Sequence, residues 1–315
     1  MKTKFEFFLL CRILVVFQAI AIPAAILAQS SHKVNTGSIS RKWLDLPYAS
    51  ESKSQKLDIY LPETGEGPFP VILSIHGGAF KGGDKGDGQF APMLEGVKRG
   101  YAVVSINYRL SGEAIFPAQI FDVKASVRWI KANAGKYHFN PDKITAWGGS
   151  AGGHLAAMLG TSGNVKELED MSQGNGEQSS RIHAVVDWFG PTDFLKMDPQ
   201  LKESKVKNAQ VHAVPDSPES ELIGKNLADA PELVRKANPE TYVTPDDPPF
   251  FIQHGQKDHL VPYQQSLNLA KKLETVIGKE KVSFEILPDD DHGGPGFTTP
   301  KNISKVFDFL DHYLK

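Results

Sequence analysis

From about Ile39 onward, apolar positions recur along the chain with two different periods, and the two kinds of stretch alternate. "LDIYLP" (Leu57 to Pro62) switches between apolar and polar at every residue, as a half-buried strand does. "FPVILSIHG" and "YAVVSINYR" are runs rich in β-branched residues and bounded by Gly or Pro, which predicts buried parallel strands. "AQIFDVKASVRWIKANAGKY" (Ala118 to Tyr137) spaces Ile120, Val123, Val127, Ile130 and Ala134 for one face of a helix. Beyond it the pattern predicts a strand at "KITAW", a helix through "HLAAMLG" and strands at "IHAVVDWFG" and "PFFIQHG". It then predicts a helix at "YQQSLNLAKKLETVIG", a strand at "VSFEILP" and a closing helix at "ISKVFDFLDHYL". Strand and helix in repeated alternation give an α/β fold, a mostly parallel, doubly wound sheet with helices on both faces. In such sheets sites form outside the carboxyl ends of the strands.

Two segments interrupt the alternation. Ser162 to Arg181 is polar and reads as a surface loop. Phe194 to Asp247 is long and mixed, and structureless loops of that length are unusual in compact domains. It reads as a small helical cap between the sixth and seventh strands, with Ser217 placed to start a capped helix; a mobile surface insertion is the alternative.

The start of the chain does not fit this pattern. Lys2, Lys4 and Arg12 precede the apolar run Ile13 to Ala28, after which the chain turns polar. This reads as a secretory signal peptide over residues 1–28, cleaved after Ala28 or else Ala25, and leaves one domain at 29–315. A membrane anchor is the competing reading, but the run is short and interrupted by Gln18 and Pro23. Cys11 is the only cysteine and lies inside this leader, so the mature chain has no disulfide, thiolate or Cys-ligated zinc to offer. Export without disulfides suits a bacterial periplasm or exterior.

Of the 315 residues, 40% are hydrophobic and 23% charged, with a net charge of -2, so no basic stripe points to nucleic acid or to an anionic membrane. A small neutral substrate fits this balance better, with no stable membrane association after leader removal.

Gly148-Gly149-Ser150-Ala151-Gly152 matches G-x-S-x-G between a strand and a helix, the pattern of a nucleophile elbow. So tight a turn needs very small neighbours, holds the Ser150 hydroxyl above the sheet and sets it at a helix N-terminus. A dinucleotide fingerprint would need glycine where Ser150 stands. Upstream, His76-Gly77-Gly78-Ala79 follows the third strand and matches the HGG(G) pattern that stabilises an oxyanion. The backbone donors are assigned to Gly78, Ala79 and Ala151, with Gly77 shaping the loop. Asp258 and His292 each fall just past a strand, in the order Ser, Asp, His. His292 is read as the base and Asp258 as the group that orients it.

Other residues are read more plainly. His254 and His259 are packing or surface residues, and His76 hydrogen-bonds its own loop. Asp289, Asp290 and Asp291 form a solvated acidic loop, Asp84 and Asp87 lack the spacing of a calcium site, and no functional metal is expected. Trp188, Phe189 and Phe194 follow the sixth strand and either line the pocket mouth or pack beneath the cap.

At these residues the chain resembles the α/β-hydrolase superfamily, and within it the secreted esterases related to hormone-sensitive lipases and to bacterial feruloyl and acetyl xylan esterases. "HGGAFKGGDK", "INYRL", "VVDWFGPTDF", "HGQKDHLVPYQQS" and the stretch around Ser150 carry the resemblance, which spans nearly the whole mature chain. It implies a cofactor-free carboxylic ester hydrolase acting on short-acyl or sugar-linked esters. It also implies that Asp84 and Lys85 order the oxyanion loop, and that Asp122 orders a helix near it. One departure is Ala79, where the lipases have a third glycine; its methyl group narrows the acyl pocket. The N-terminal cap of those lipases has no obvious room here. The alternatives are an amidase, arylformamidase or peptidase on the same residues, and a non-catalytic binding protein of this fold.

Overall fold

The structure, a computed structural model, describes residues 33–315. The leader read at 1–28, with Cys11, lies outside the described residues. Eight strands form one sheet: β1 (Lys42–Pro47), β2 (Lys56–Tyr60), β3 (Phe69–Ile75), β4 (Ala102–Ile106), β5 (Phe139–Gly149), β6 (Ala184–Trp188), β7 (Phe250–Gly255) and β8 (Val282–Leu287). Their spatial order is β1-β2-β4-β3-β5-β6-β7-β8. β2 pairs antiparallel with both its neighbours, and every pairing from β4 to β8 is parallel. The helices are α1 (Ala91–Leu94), α2 (Ala118–Ala132), α3 (Ala134–Tyr137), α4 (Ala151–Thr161), α5 (Met197–Ser204), α6 (Pro218–Ile223), α7 (Pro231–Ala237), α8 (Gln264–Ile277) and α9 (Pro300–Leu314).

The continuous apolar runs are explained by burial on both faces. Successive residues of a strand point to opposite sides, so Leu73, Val104 and Ala146 join one core while Ile72, Val103 and Trp147 join the other. The first core takes Val123 and Val127 of α2, Leu155 and Leu159 of α4, and Leu269 and Leu273 of α8. The second takes Val306, Phe307 and Leu310 of α9. This is the doubly wound α/β sheet that the alternating pattern implies. Among the described residues no helix is long and apolar enough to cross a membrane.

Three boundaries differ from the sequence pattern. The helix expected through Tyr137 breaks at Asn133, whose amide side chain and backbone N–H both donate to Trp129 O (2.9 and 3.0 Å) and end α2. β5 starts at Phe139, well before "KITAW", because Phe139 pairs with Phe69 across a register shift. β1 carries no clear alternation, and Trp43 and Leu44 on this edge strand remain exposed.

The segment at 194–247 folds into α5, α6 and α7 with short 3-10 turns between them. Ser217 accepts from Ser220 N at 3.1 Å with Pro218 in the first turn, a helix start of the kind its sequence indicates. Residues 162–181 lie over the surface but are pinned from below. Arg128, on the buried face of α2, pairs with Glu169 and donates to Asp170 O (2.7 Å).

His212 ties the insertion to the loop after β7. Its Nδ1 lies 2.8 Å from Glu219 and its Nε2 2.8 Å from Leu260 O, so both partners favour the protonated ring, which can donate to each. Burial alone would lower its pKa, but the Glu219 carboxylate and the Leu260 carbonyl raise it above the ordinary histidine value. A raised folded-state value gives stability that is fully present below about 6.5 and is lost as pH rises through the folded value. His212→Gln is therefore expected to destabilise the protein more at pH 6 than at pH 9, read from thermal unfolding of both proteins at each pH.

Candidate active site

Ser150 stands at φ 57°, ψ -124°, between the end of β5 and the first residue of α4. This strained backbone is held by close packing on both sides. A Cβ on Gly152 would lie 2.1 Å from Ile75 O, and one on Gly148 2.3 Å from Gly152 O. Only hydrogen fits at these two positions, which explains the small residues around the serine.

His292 lies in the loop after β8 and Asp258 in the loop after β7. Ser150 Oγ donates to His292 Nε2 at 2.8 Å, and His292 Nδ1 donates to Asp258 Oδ2 at 2.7 Å. The Nδ1–H tautomer follows from its partner, since a carboxylate only accepts. Asp258 Oδ1 accepts from Leu260 N (2.9 Å) and Val261 N (2.8 Å). Burial would raise the Asp258 carboxyl, but the His292 and His254 rings outweigh it and hold it well below the usual carboxylate range.

The loop after β3 faces the serine. Gly78 has φ +112°, and a Cβ there would lie 2.3 Å from Gly82 O. Among the described residues, the N–H groups of Gly78, Ala79 and Ala151 donate to no protein atom. Tyr108 Oη donates to His76 O (2.9 Å), and the His76 ring stacks on Tyr108 with centroids 4.4 Å apart. Burial pulls His76 down to about 4, and its Nδ1 stays within 2.7 Å of Gly77 O, a purely local role. Lys85, 7% exposed, reaches Asp45 (2.8 Å) and Asp58 (3.2 Å), while Asp84 accepts from Asn107 Nδ2 (3.0 Å) and Gly86 N (2.9 Å). Asp122, fully buried on α2, accepts from Arg109, Gln55 and Gln173.

Ala79 sits at φ +55°. An L-residue costs roughly 1–2 kcal/mol in this region, and glycine's greater freedom in the unfolded chain takes back roughly 0.5–1. Ala79→Gly is thus expected to stabilise the protein by about 0.5–1 kcal/mol, read from the denaturant midpoint. A lower midpoint would mean that the methyl group packs well enough to outweigh its backbone strain.

Several residues take places other than those the sequence suggested. Trp188 does not reach the pocket mouth; it is 4% exposed and packs against Trp147 and Phe297 on the α9 side of the sheet. Strand alternation decides this, because β6 extends through residue 188. Phe189 turns at φ 44° and sets its ring against the His292 imidazole (centroids 4.7 Å apart), so it backs the histidine. Phe194 takes the second of its two expected places and packs beneath the insertion, between Phe80 and His154. The acidic run is not uniformly solvated. Asp290 is buried and accepts from Gly296 N (2.9 Å), and Asp291 accepts from His259 Nδ1 and His292 N, both at 2.7 Å. Together they brace the loop that carries His292.

Sequence reasoning passed over His154 and Asp187. His154, on the first turn of α4, lies within 2.7 Å of Pro191 O and is pulled down to about 4 by burial. Asp187 is fully buried near the end of β6; burial pushes it up to about 6, and its Oδ2 has no hydrogen-bond partner among the described residues. The one visible signal was a carboxylate inside the apolar run "AVVDW".

The insertion contacts both the glycine loop and the loop that carries Asp258. Lys81 of the glycine loop pairs with Glu221 of α6 (2.8 Å), and Gln210 N donates to His259 O (2.9 Å) beside Asp258.

Comparison with known proteins agrees with this architecture. The chain is 32% identical over 250 residues to Esterase LipQ of Mycobacterium tuberculosis, covering 79% of this chain and 56% of LipQ. It thus spans about half the length of the curated relatives it matches. A solved bifunctional GH43-CE protein of Bacteroides eggerthii is 36% identical with a TM-score of 0.78, over 86% of this chain and 35% of that one. A truncated carbohydrate esterase from gut microbiota is 34% identical with a TM-score of 0.79, over 89% of this chain and 99% of that one. With a BD-FAE family model matching residues 57–273, of one piece with the sheet order and the serine turn, the chain belongs to the BD-FAE family of α/β-hydrolases.

Proposed function

We propose that the protein is a serine carboxylesterase that cleaves short-acyl or carbohydrate-linked esters through an acyl-enzyme. The observation that carries this reading is the hydrogen-bonded chain Ser150–His292–Asp258, set beside three backbone N–H groups that serve no protein acceptor. In the first step His292 Nε2 takes the Ser150 proton as Oγ bonds to the ester carbonyl carbon. The carbonyl oxygen becomes an oxyanion and accepts from Gly78 N, Ala79 N and Ala151 N, each such donor contributing roughly 3 kcal/mol to barrier lowering. Asp258 stabilises the imidazolium. The C–O bond to the alcohol then breaks, and His292 returns the proton to the leaving oxygen. Water repeats the sequence on the acyl-serine and releases the acid.

The names of the two solved relatives support a sugar-linked alcohol. The Ala79 methyl on the oxyanion loop favours a small acyl group such as acetyl over a feruloyl group. Export through the apolar leader, to a bacterial periplasm or beyond, completes the reading; the mature chain would begin at Gln29.

One set of experiments tests this. A fluorophosphonate probe should label Ser150, as identified by peptide mass spectrometry. Turnover should be highest on acetylated xylan and p-nitrophenyl acetate, fall with acyl length, and be far slower on the matched amide. No labelling and no ester turnover by the folded protein would overturn the proposal, and faster amide cleavage would move it to the amidase alternative.

A further inference from the structure

A second histidine touches the carboxylate that orients His292. His254, the penultimate residue of β7, is 0% exposed. Its Nε2 lies 2.8 Å from Val261 O and 3.2 Å from Asp258 Oδ2. Val261 O only accepts, so Nε2 carries a proton and donates it to that carbonyl, with Asp258 Oδ2 within electrostatic reach of the same N–H. Its Nδ1 lies 2.7 Å from Ser266 Oγ at the start of α8, which fixes the ring plane.

We propose that His254 is a positioning residue for the esterase reaction, acting through Asp258: its buried Nε2–H, 3.2 Å from Oδ2, attracts that oxygen from a side His292 does not occupy. The proposal rests on the reading of Ser150 as nucleophile. A carboxylate swings easily about its last torsion, because that rotation is soft and its two oxygens are equivalent. Here Oδ1 is pinned by two backbone amides, and Oδ2 is shared by two imidazoles. Three hydrogen bonds and the His254 contact thereby restrain the carboxylate and narrow the geometry in which His292 can bond it. The Val261 turn alone does not call for this arrangement, since a donor to Val261 O would hold the turn without reaching Oδ2. Asp187 supplies a contrast within the same sheet. Just as fully buried, it has one backbone donor, Gly190 N at 3.0 Å, and an unpartnered Oδ2. Burial raises that carboxyl, whereas Asp258 with its donors is held low.

The test compares His254→Phe, which removes the donor, with His254→Gln, which offers an amide N–H near the Nε2 position. Two readouts are taken: steady-state kinetics on p-nitrophenyl acetate, and the low-field proton NMR signal of the hydrogen between His292 and Asp258. His254→Phe is expected to lower kcat roughly 10- to 100-fold, by analogy with the hydrogen-bond partners that orient metal-ligating histidines, with KM little changed. Its low-field signal should broaden or vanish. His254→Gln should recover most of kcat and the signal. An unchanged kcat and signal in folded His254→Phe would overturn the proposal, as would equal losses in both variants that track their thermal destabilisation. If His254→Phe does not fold, Ser266→Ala frees the other side of the ring and should give a several-fold loss in kcat and a shifted signal; no change there overturns the proposal. The NMR comparison needs no substrate. Absence of ester turnover in the wild type therefore counts against the esterase reading, while the signal still judges His254.

Discussion

Ser150→Ala is expected to lower kcat on p-nitrophenyl acetate by about 10⁶-fold, the loss seen when a residue of a concerted triad is removed. The alanine keeps the turn intact, because the strain at φ 57° and the packing around Gly148 and Gly152 do not involve the hydroxyl. It takes away the atom that bonds to carbon, and leaves His292 with no proton to accept. Binding should survive, since Gly78 N, Ala79 N and Ala151 N still face the carbonyl, so KM should move little while kcat collapses. Steady-state rates with a folded-state check by circular dichroism decide the matter. Turnover within an order of magnitude of the wild type would assign the reaction to another nucleophile.

Asp258→Asn should cost about 10⁴-fold in kcat, the magnitude found when an orienting aspartate becomes an amide. The asparagine oxygen can keep the Leu260 and Val261 amides that Asp258 Oδ1 now accepts. Its NH₂ then faces both His292 Nδ1, from which Oδ2 now accepts, and His254 Nε2, which lies 3.2 Å from Oδ2. His292 must turn its other tautomer to this amide and loses the lone pair aimed at Ser150. The substitution also carries a pH signature. Because the folded-state value of Asp258 is depressed, its stabilising contribution is present above the ordinary carboxylate value of about 3.9 and fades as pH falls toward the folded value. The stability gap between wild type and Asp258→Asn should accordingly narrow from pH 7 toward pH 3 in denaturant titrations. A gap that widens instead would mean that the carboxyl is not held ionised by its neighbours.

Much of this site could be read before any coordinates. The serine turn is visible because its constraint, the lack of room at Gly148 against Gly152 and at Gly152 against Ile75 O of β3, leaves its mark directly in residue type. The glycine loop after β3 is visible for the same reason, as its left-handed backbone at Gly78 leaves a mark in residue type. The aromatic residues were harder. Trp188 and Phe189 are neighbours in sequence and both touch Phe297, yet one packs against Trp147 and the other backs His292, because β6 ends at Trp188 and the backbone turns to φ 44° at Phe189. Asp290 and Asp291 read as solvent-facing charge, but Asp290 accepts from Gly296 N as its own loop folds back on it, and Asp291 meets His259 where the β8 loop packs against the β7 loop. His254 and Asp187 have no pattern to mark them, since a polar residue in a buried strand looks the same whether it supports a site or fills space.

The alternation of strand and helix, the doubly wound sheet and the serine turn follow from the chain alone, because periodicity is a property of neighbouring residues and a lack of steric room shows directly in residue type. The joining of Ser150 to His292 spans 142 positions, and of His292 to Asp258 another 34. No short-range rule specifies such distances or angles. They come from the order in which β5, β7 and β8 lie in the sheet and from the donors that packing brings to each side chain, among them the second imidazole on Asp258 that only the folded molecule reveals.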